Sequence, residues 1–217
     1  RKRKSAFLKQ GSDYPCHLMV LGLTGFSGAG KSTVAQIFKQ HGFYHLDCDN
    51  IVHERVYRDP MVLKALTEEF GKEIISDGVL NRSVLRNYTM GDPKALQRLN
   101  DLVMPHILSA IQADLTEHRG SHIILDAPLL FESGLDKKCD CVLSVIANPK
   151  AATERIILRD HLRPSEASKR LSSQHPAEFY TNKSDYILQN DGDLTVLQQD
   201  TLKLIQSILK KHAGEHQ

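Results

Sequence analysis

The chain has 217 residues, 41% hydrophobic and 25% charged, with 28 Lys and Arg against 26 Asp and Glu for a net charge of +2. That balance suits a globular chain with a sizeable core and excludes the strong general field of a nucleic-acid or anionic-membrane binder. No apolar run reaches the ~20 residues of a membrane span, so neither nucleic acid nor membrane is expected as a partner, and no stretch specifies an oligomeric state.

Residues 1–16 open on Arg-Lys-Arg-Lys and read as a basic, solvated tail. None of Cys16, Cys48, Cys139 and Cys141 forms a CxxC pair, so they read as thiols of a reducing, cytoplasmic compartment. The first strand is expected over 17–24, and it runs into GFSGAGKS, Gly25 to Ser32, before a helical pattern. Gly, four residues, Gly, Lys and Ser between strand and helix is the phosphate-loop pattern. Its glycines let successive N–H groups converge on phosphate oxygens, and the helix start adds a positive end. Lys31 is placed to reach the outer phosphates, and Ser32 offers a short hydroxyl for Mg²⁺. A nucleoside triphosphate is the expected ligand.

Apolar runs at 43–47, 122–126, 141–146 and 186–188 supply four more strands separated by helical patterns. Five alternating strands predict an α/β fold, a parallel sheet with helices on both faces, whose ligands bind at the carboxyl ends of the strands. Between the second and third strands the chain inserts a long segment without a strong strand signal. Its two Asp-Pro openings, at Asp59 and Asp92, precede apolar residues at helical spacing, so it reads as a helical subdomain. A second helical, Arg-rich insertion follows the fourth strand.

Candidate chemistry clusters at the strand ends. In HLDCDN a period of two places Asp47 and Asp49 on one side and Cys48 on the other. A carboxylate there either binds Mg²⁺ through water or accepts the proton of an attacking hydroxyl, while Asp49 or Asn50 capping the next helix is the alternative. HIILDAPLLFE is a buried-looking strand ending in Asp126, where a phosphate-loop enzyme places a carboxylate of its metal shell. Leu129, Leu130 and Phe131 read either as core or as the lining of an acceptor pocket. Arg155 and Arg159 lie one helical turn apart, with Arg163 and Arg170 beyond them; they suit a transferring phosphoryl group, or with Glu154 and Asp160 form a salt-bridged face. Asn182, Lys183 and Asp185 match a guanine-reading pattern, but no buried strand precedes them, so the match reads as coincidental. His41, His45 and His53 share no face and read as surface or capping residues rather than a metal cluster.

GLTGFSGAGKST, LDCDNIVHE, FGKEIISDGVLNRSVL, DAPLLFE, RDHLRPSEASKRLSSQ and SDYILQN together, in this order and spacing, resemble the dephospho-coenzyme A kinase family over residues 18 to about 208. The resemblance implies ATP-dependent phosphorylation of the ribose 3′-hydroxyl of dephospho-coenzyme A, with Mg²⁺. It also implies a nucleotide-binding core at 17–50, 121–149 and 184–212, a helical acceptor-binding insertion at 51–120 and a lid at 150–183. By position, Asp49 matches the family's general base, and Gly28, Ala29, Gly30, Lys31, Ser32 and Thr33 its ATP loop. Arg159 matches a lid arginine, and Arg155 and Asn190 are expected on the nucleotide. Ser32 and Asp126 are expected at the metal, and Asp47, Arg82, Leu129 and Leu130 at the acceptor. The rival readings are another nucleoside or nucleotide kinase and a nucleotide-dependent switch.

Overall fold

A computed structural model describes residues 18–214; the basic tail of residues 1–16, with Cys16, lies outside the described residues. The described chain divides into two compact units, one built from the segments up to Leu46 and from His118 onward, the other from Asp47–Glu117. The second begins and ends a few residues earlier than the 51–120 expected from the sequence.

The first unit holds the sheet. Its strands are β1 (Val20–Thr24), β2 (Tyr44–Asp47), whose last residue begins the second unit, β5 (Ile123–Asp126), β6 (Cys141–Ile146) and β7 (Tyr186–Gln189). They lie in the order β2-β5-β1-β6-β7, a five-stranded parallel sheet. β1 sits at the centre, with Leu23 opposite Asp126 on one side and Leu143 on the other. All four residues of β5 and five of the six in β6 are buried. Strands buried at every position have both faces covered, the expected consequence of helical crossovers between parallel strands. The helices of this unit are α1 (Lys31–Gln40), α6 (Pro149–Asp160), α7 (Pro164–Ser172), α8 (Ala177–Thr181) and α9 (Leu194–Gly214).

Leu21, Leu23, Val34, Phe38, Ile124, Leu143 and Ile208 belong to one buried cluster in this unit. Each Leu, Ile or Phe buried in this way contributes about 1.5–3 kcal/mol. This anchors the end of β1, and hence the loop after it. Thr24, fully buried, donates its hydroxyl to Pro128 O at 3.1 Å, joining the end of β1 to the turn after β5. Cys48, Cys139 and Cys141 form no disulfide.

The second unit is mainly helical: α2 (Cys48–Glu54), α3 (Pro60–Phe70), α4 (Arg82–Thr89) and α5 (Pro93–Glu117). Both Asp-Pro openings start helices as their chemistry requires. Asp59 accepts a hydrogen bond from Met61 N at 2.8 Å, and Asp92 accepts from Lys94 N and Ala95 N at 2.9 and 3.1 Å; proline fits the first turn because its missing N–H has no partner there. Val62, Leu66, Phe70, Ile74, Leu85 and Leu99 form the core. Asp114 is buried on α5 and is held by Arg55, which keeps its charge compensated.

The sequence reading missed one feature of this unit. Strands β3 (Ile75–Ser76) and β4 (Val79–Leu80) pair antiparallel as a hairpin. Asp77 and Gly78 have φ of 52° and 76°, the two left-handed residues of the tight turn that Asp-Gly favours. The signal was present, but two-residue strands carry too little alternation to register as strands.

Candidate active site

The loop after β1 turns through Gly28, at φ 80°, where an added Cβ would run into the carbonyl of Ala152. Only glycine combines that backbone with so close a neighbour. Gly30, in the left-handed region, precedes the first turn of α1, and its carbonyl accepts from Thr33 N and Val34 N at 3.1 and 3.2 Å. Ser32 is exposed on that turn and Thr33 half-buried.

Lys31 pairs with Asp126 through Nζ and Oδ1, both groups largely shielded from solvent. His45 Nε2 lies 3.3 Å from the other oxygen, Oδ2. Burial pushes the Asp126 carboxyl up, but the hydrogen bond with His45 and the charge and hydrogen bond of Lys31 outweigh it and hold the group below its ordinary value. Asp126 is therefore an anion at neutral pH. His45, which the sequence reading assigned to the surface or a helix cap, is instead half-buried on this carboxylate. His41 does sit at a helix end, with Nδ1 2.7 Å from Ile37 O.

The loop is braced from beneath and gripped from the side. Buried Asn190 donates through Nδ2 to Ala29 O at 2.8 Å. Arg155 donates to Gly28 O at 3.3 Å and to Asn190 O at 3.0 Å, and its other nitrogen reaches Asn190 Oδ1 and Gly192 O, each at 3.3 Å. Both polar ends of Asn190 and both terminal nitrogens of Arg155 are thus spent on protein groups, so these two residues support the loop's shape. On the side, Ser27 N donates to Gln174 Oε1 at 2.8 Å, while Arg159 Nη2 donates to Ser27 Oγ at 3.1 Å. Arg159 and Arg170 share Asp160, at 2.8 and 2.6 Å. The hydrogen bond with Arg159, joined by the charge of Arg170, holds the Asp160 carboxyl below its ordinary value, and the same hydrogen bond holds Arg159 above its own.

Ser27, Gln174 and His45 were not among the sequence-predicted site residues. Gln174 meets the loop across 147 positions, a distance that periodicity does not bridge.

Other expected residues fall differently. Leu130 is fully buried and packs so closely on β1 that a Cβ at Gly22 would lie 2.9 Å from it. It is core, which removes it from the expected acceptor contacts; Leu129, 64% exposed, stays open to solvent. The period-two argument for Asp47 and Asp49 does not hold, because β2 ends at Asp47 and α2 begins at Cys48. Asp47 itself caps that helix, accepting from Asn50 N at 3.0 Å; neither Asp49 nor Asn50 supplies the capping side chain. Asp49 is exposed in the helix's first turn. Arg82 opens α4 and is exposed. In the guanine-like run, Asp185 accepts from Val142 N at 2.9 Å near the start of β6, away from the strand ends that carry the phosphate loop. Its carboxylate is committed to a backbone amide.

Among the described residues, no group of three or more His, Cys, Asp and Glu could hold a metal ion, and no helix is long and apolar enough to cross a membrane.

Comparison with known proteins converges on one family. A family model described as dephospho-CoA kinase matches residues 19–195. A dephospho-CoA kinase from Pseudoalteromonas translucida is 35% identical over 192 residues, covering 88% of this chain and 91% of the relative. Among solved structures, Thermus thermophilus TT1252 superposes with a TM-score of 0.78 at 28% identity, covering 90% of this chain and 98% of that one. A dephospho-CoA kinase from Campylobacter jejuni gives 0.66 at 26% identity, covering 88% and 98%. With a phosphate loop, a parallel sheet and this match along most of its length, the chain belongs to the dephospho-CoA kinase family and is a kinase.

Proposed function

We propose that this chain transfers the terminal phosphoryl group of ATP to the ribose 3′-hydroxyl of dephospho-coenzyme A, giving coenzyme A and ADP. The observation that carries this reading is the family match along residues 19–195, on a chain whose phosphate loop is braced by Arg155 and Asn190 and has Lys31 and Asp126 paired beside it.

In this reading the backbone N–H groups from Gly28 to Thr33 hold the phosphates of ATP, and Lys31 shifts its charge from Asp126 to the outer phosphates. Arg159, already at the loop's edge on Ser27, supplies a planar cation to the oxygens of the transferring group, and the helical arm of α6 and α7 acts as the lid that carries it. Asp49 accepts the proton of the attacking 3′-hydroxyl, an assignment that rests on its position in the family pattern. The oxygen of that hydroxyl forms the new bond to phosphorus as the bridging oxygen of ADP leaves.

The donors available to a cation are hard oxygens, the Ser32 hydroxyl and the Asp126 carboxylate. That set fits Mg²⁺, which is held by one or two protein groups plus substrate phosphates rather than by a protein cage. Bound there, Mg²⁺ would neutralise charge on the phosphate oxygens.

The test is turnover of purified protein with Mg²⁺-ATP and a panel of acceptors, read by mass spectrometry as one added phosphate. Dephospho-coenzyme A should be preferred, and Lys31→Ala should abolish most turnover. Faster phosphorylation of adenosine, cytidine, shikimate or a nucleoside monophosphate would overturn the acceptor assignment.

A further inference from the structure

We propose that His45 is a positioning residue for ATP binding: it holds the Asp126 carboxylate when Lys31 leaves it for the phosphates, and so lowers the cost of that exchange. The departure of Lys31 rests on the function proposed above; the contact itself lies wholly within the first unit.

Asp126 is 8% exposed, and a carboxylate so enclosed needs partners for its charge. Each oxygen has one: Lys31 Nζ is on Oδ1, and His45 Nε2 is 3.3 Å from Oδ2. Among the described residues no other side chain bonds to this carboxylate. An ionised carboxylate only accepts, so Nε2 carries the proton in this contact and donates it. The two donors differ in how they are mounted. Lys31 is a charge on a long, flexible stem at the start of α1. His45 is a short ring on β2, whose backbone is pinned to the neighbouring chain where Tyr44 N donates to His122 O at 2.7 Å.

That difference divides the work. Separating a buried ion pair is costly because it leaves a charge unpaired. With Lys31 as the sole partner of Asp126, ATP would have to draw the lysine away from a carboxylate left without a donor. With His45 on Oδ2, the carboxylate keeps one charge-assisted hydrogen bond throughout, and Oδ1 is the oxygen vacated. The same bond fixes the carboxylate plane, since rotation about its last torsion would carry Oδ2 away from Nε2. His45 thereby raises ATP affinity through Asp126 rather than by contact with the nucleotide.

The experiment is a double-mutant cycle on ATP affinity. ATP is titrated calorimetrically into the full chain in EDTA, so that no metal ion takes the place of Lys31 at Asp126. His45→Leu should weaken binding by about tenfold, the scale of one hydrogen bond to a charged group. His45→Gln, which keeps a donor of similar reach, should recover part of that loss. In an Asp126→Asn background, His45→Leu should change affinity by less than about twofold, because the charge it serves is gone. Should His45→Leu not fold, His45→Asn, whose amide falls short of Oδ2, takes its place in the cycle. Wild-type affinity in His45→Leu would overturn the proposal, as would an equal loss in both backgrounds, which is the mark of a packing role. A wild type that binds no ATP would overturn it together with the exchange of Lys31. If the cycle shows the expected coupling but the wild type does not phosphorylate dephospho-coenzyme A, the role of His45 stands and the acceptor assignment fails.

Discussion

Arg159 reaches Ser27 Oγ at 3.1 Å although 132 positions separate them in the chain. The contact puts a guanidinium at the edge of the phosphate loop, half exposed and steadied by Asp160. Arg159→Ala should lower kcat by about 10²-fold, the scale of losing one preorganised donor to a transition state, and should weaken ATP binding far less. Arg159→Lys should recover only part of the rate, because an ammonium lacks the planar fork. Single-turnover kinetics beside ATP titration separates the two effects; an unchanged kcat would leave Arg159 as a structural partner of Ser27 and Asp160.

The Asp160 network gives a pH dependence with a definite sign. Hydrogen bonding to Arg159 and the nearby charge of Arg170 hold the native Asp160 carboxyl below its unfolded value, which is about 3.9. The native state therefore binds fewer protons at this group than the unfolded state. Its stabilising contribution is complete above the unfolded pKa and is lost as pH falls through the lowered native value. The gap in Tm between wild type and Asp160→Asn should be full at neutral pH and close on acidification through that window. A gap that does not depend on pH would mean that the carboxylate's charge is not what holds Arg159 and Arg170.

Gly28 offers a test of the loop's backbone. Its φ of 80° and the Ala152 carbonyl next to it leave no room for a methyl group. Gly28→Ala should cost about 1–3 kcal/mol from backbone strain alone, lowering Tm and ATP affinity together. An Ala variant with wild-type Tm and affinity would show that the loop can adopt another turn.

What could be read from the sequence, and what could not, follows from the range of the interactions involved. The strand ends, the phosphate loop and the Asp-Pro helix starts are set by neighbours a few residues apart, so Lys31, Asp126, Asp59 and Asp92 stood out in the linear pattern. The grip on Ser27 depends on Gln174 and Arg159, and His45 meets Asp126 across 81 positions; such contacts exist only once the sheet is assembled. The different fates of Leu129 and Leu130, read alike as core or pocket lining, were hidden for another reason. A strand that ends in Asp-Ala-Pro should give way to solvent, but the next turn folds back under β1 and buries Leu130 while leaving Leu129 out. Composition does not distinguish two adjacent leucines with opposite fates.

Asp47 and Asp49 carry the remaining prediction, because the structure gives them different local duties. Asp47 accepts from Asn50 N at 3.0 Å and caps α2, so Asp47→Ala should cost about 1 kcal/mol of stability. Asp49 sits in the first turn of the same helix, where its charge interacts favourably with the dipole by about 0.3–1 kcal/mol. Asp49→Asn keeps the size and gives up that interaction with the dipole. If Asp49 accepts the proton from the acceptor hydroxyl, the same substitution should lower kcat by about 10²- to 10⁴-fold while Tm and ATP affinity stay close to wild type. Rate and stability measured on both variants then separate the roles, since a cap affects Tm and a base affects kcat. A normal kcat in Asp49→Asn would remove it as the base. A lost rate restored by raised Mg²⁺ would assign its carboxylate to the metal, leaving Asp47 and Asp126 as the next carboxylates to test as proton acceptor.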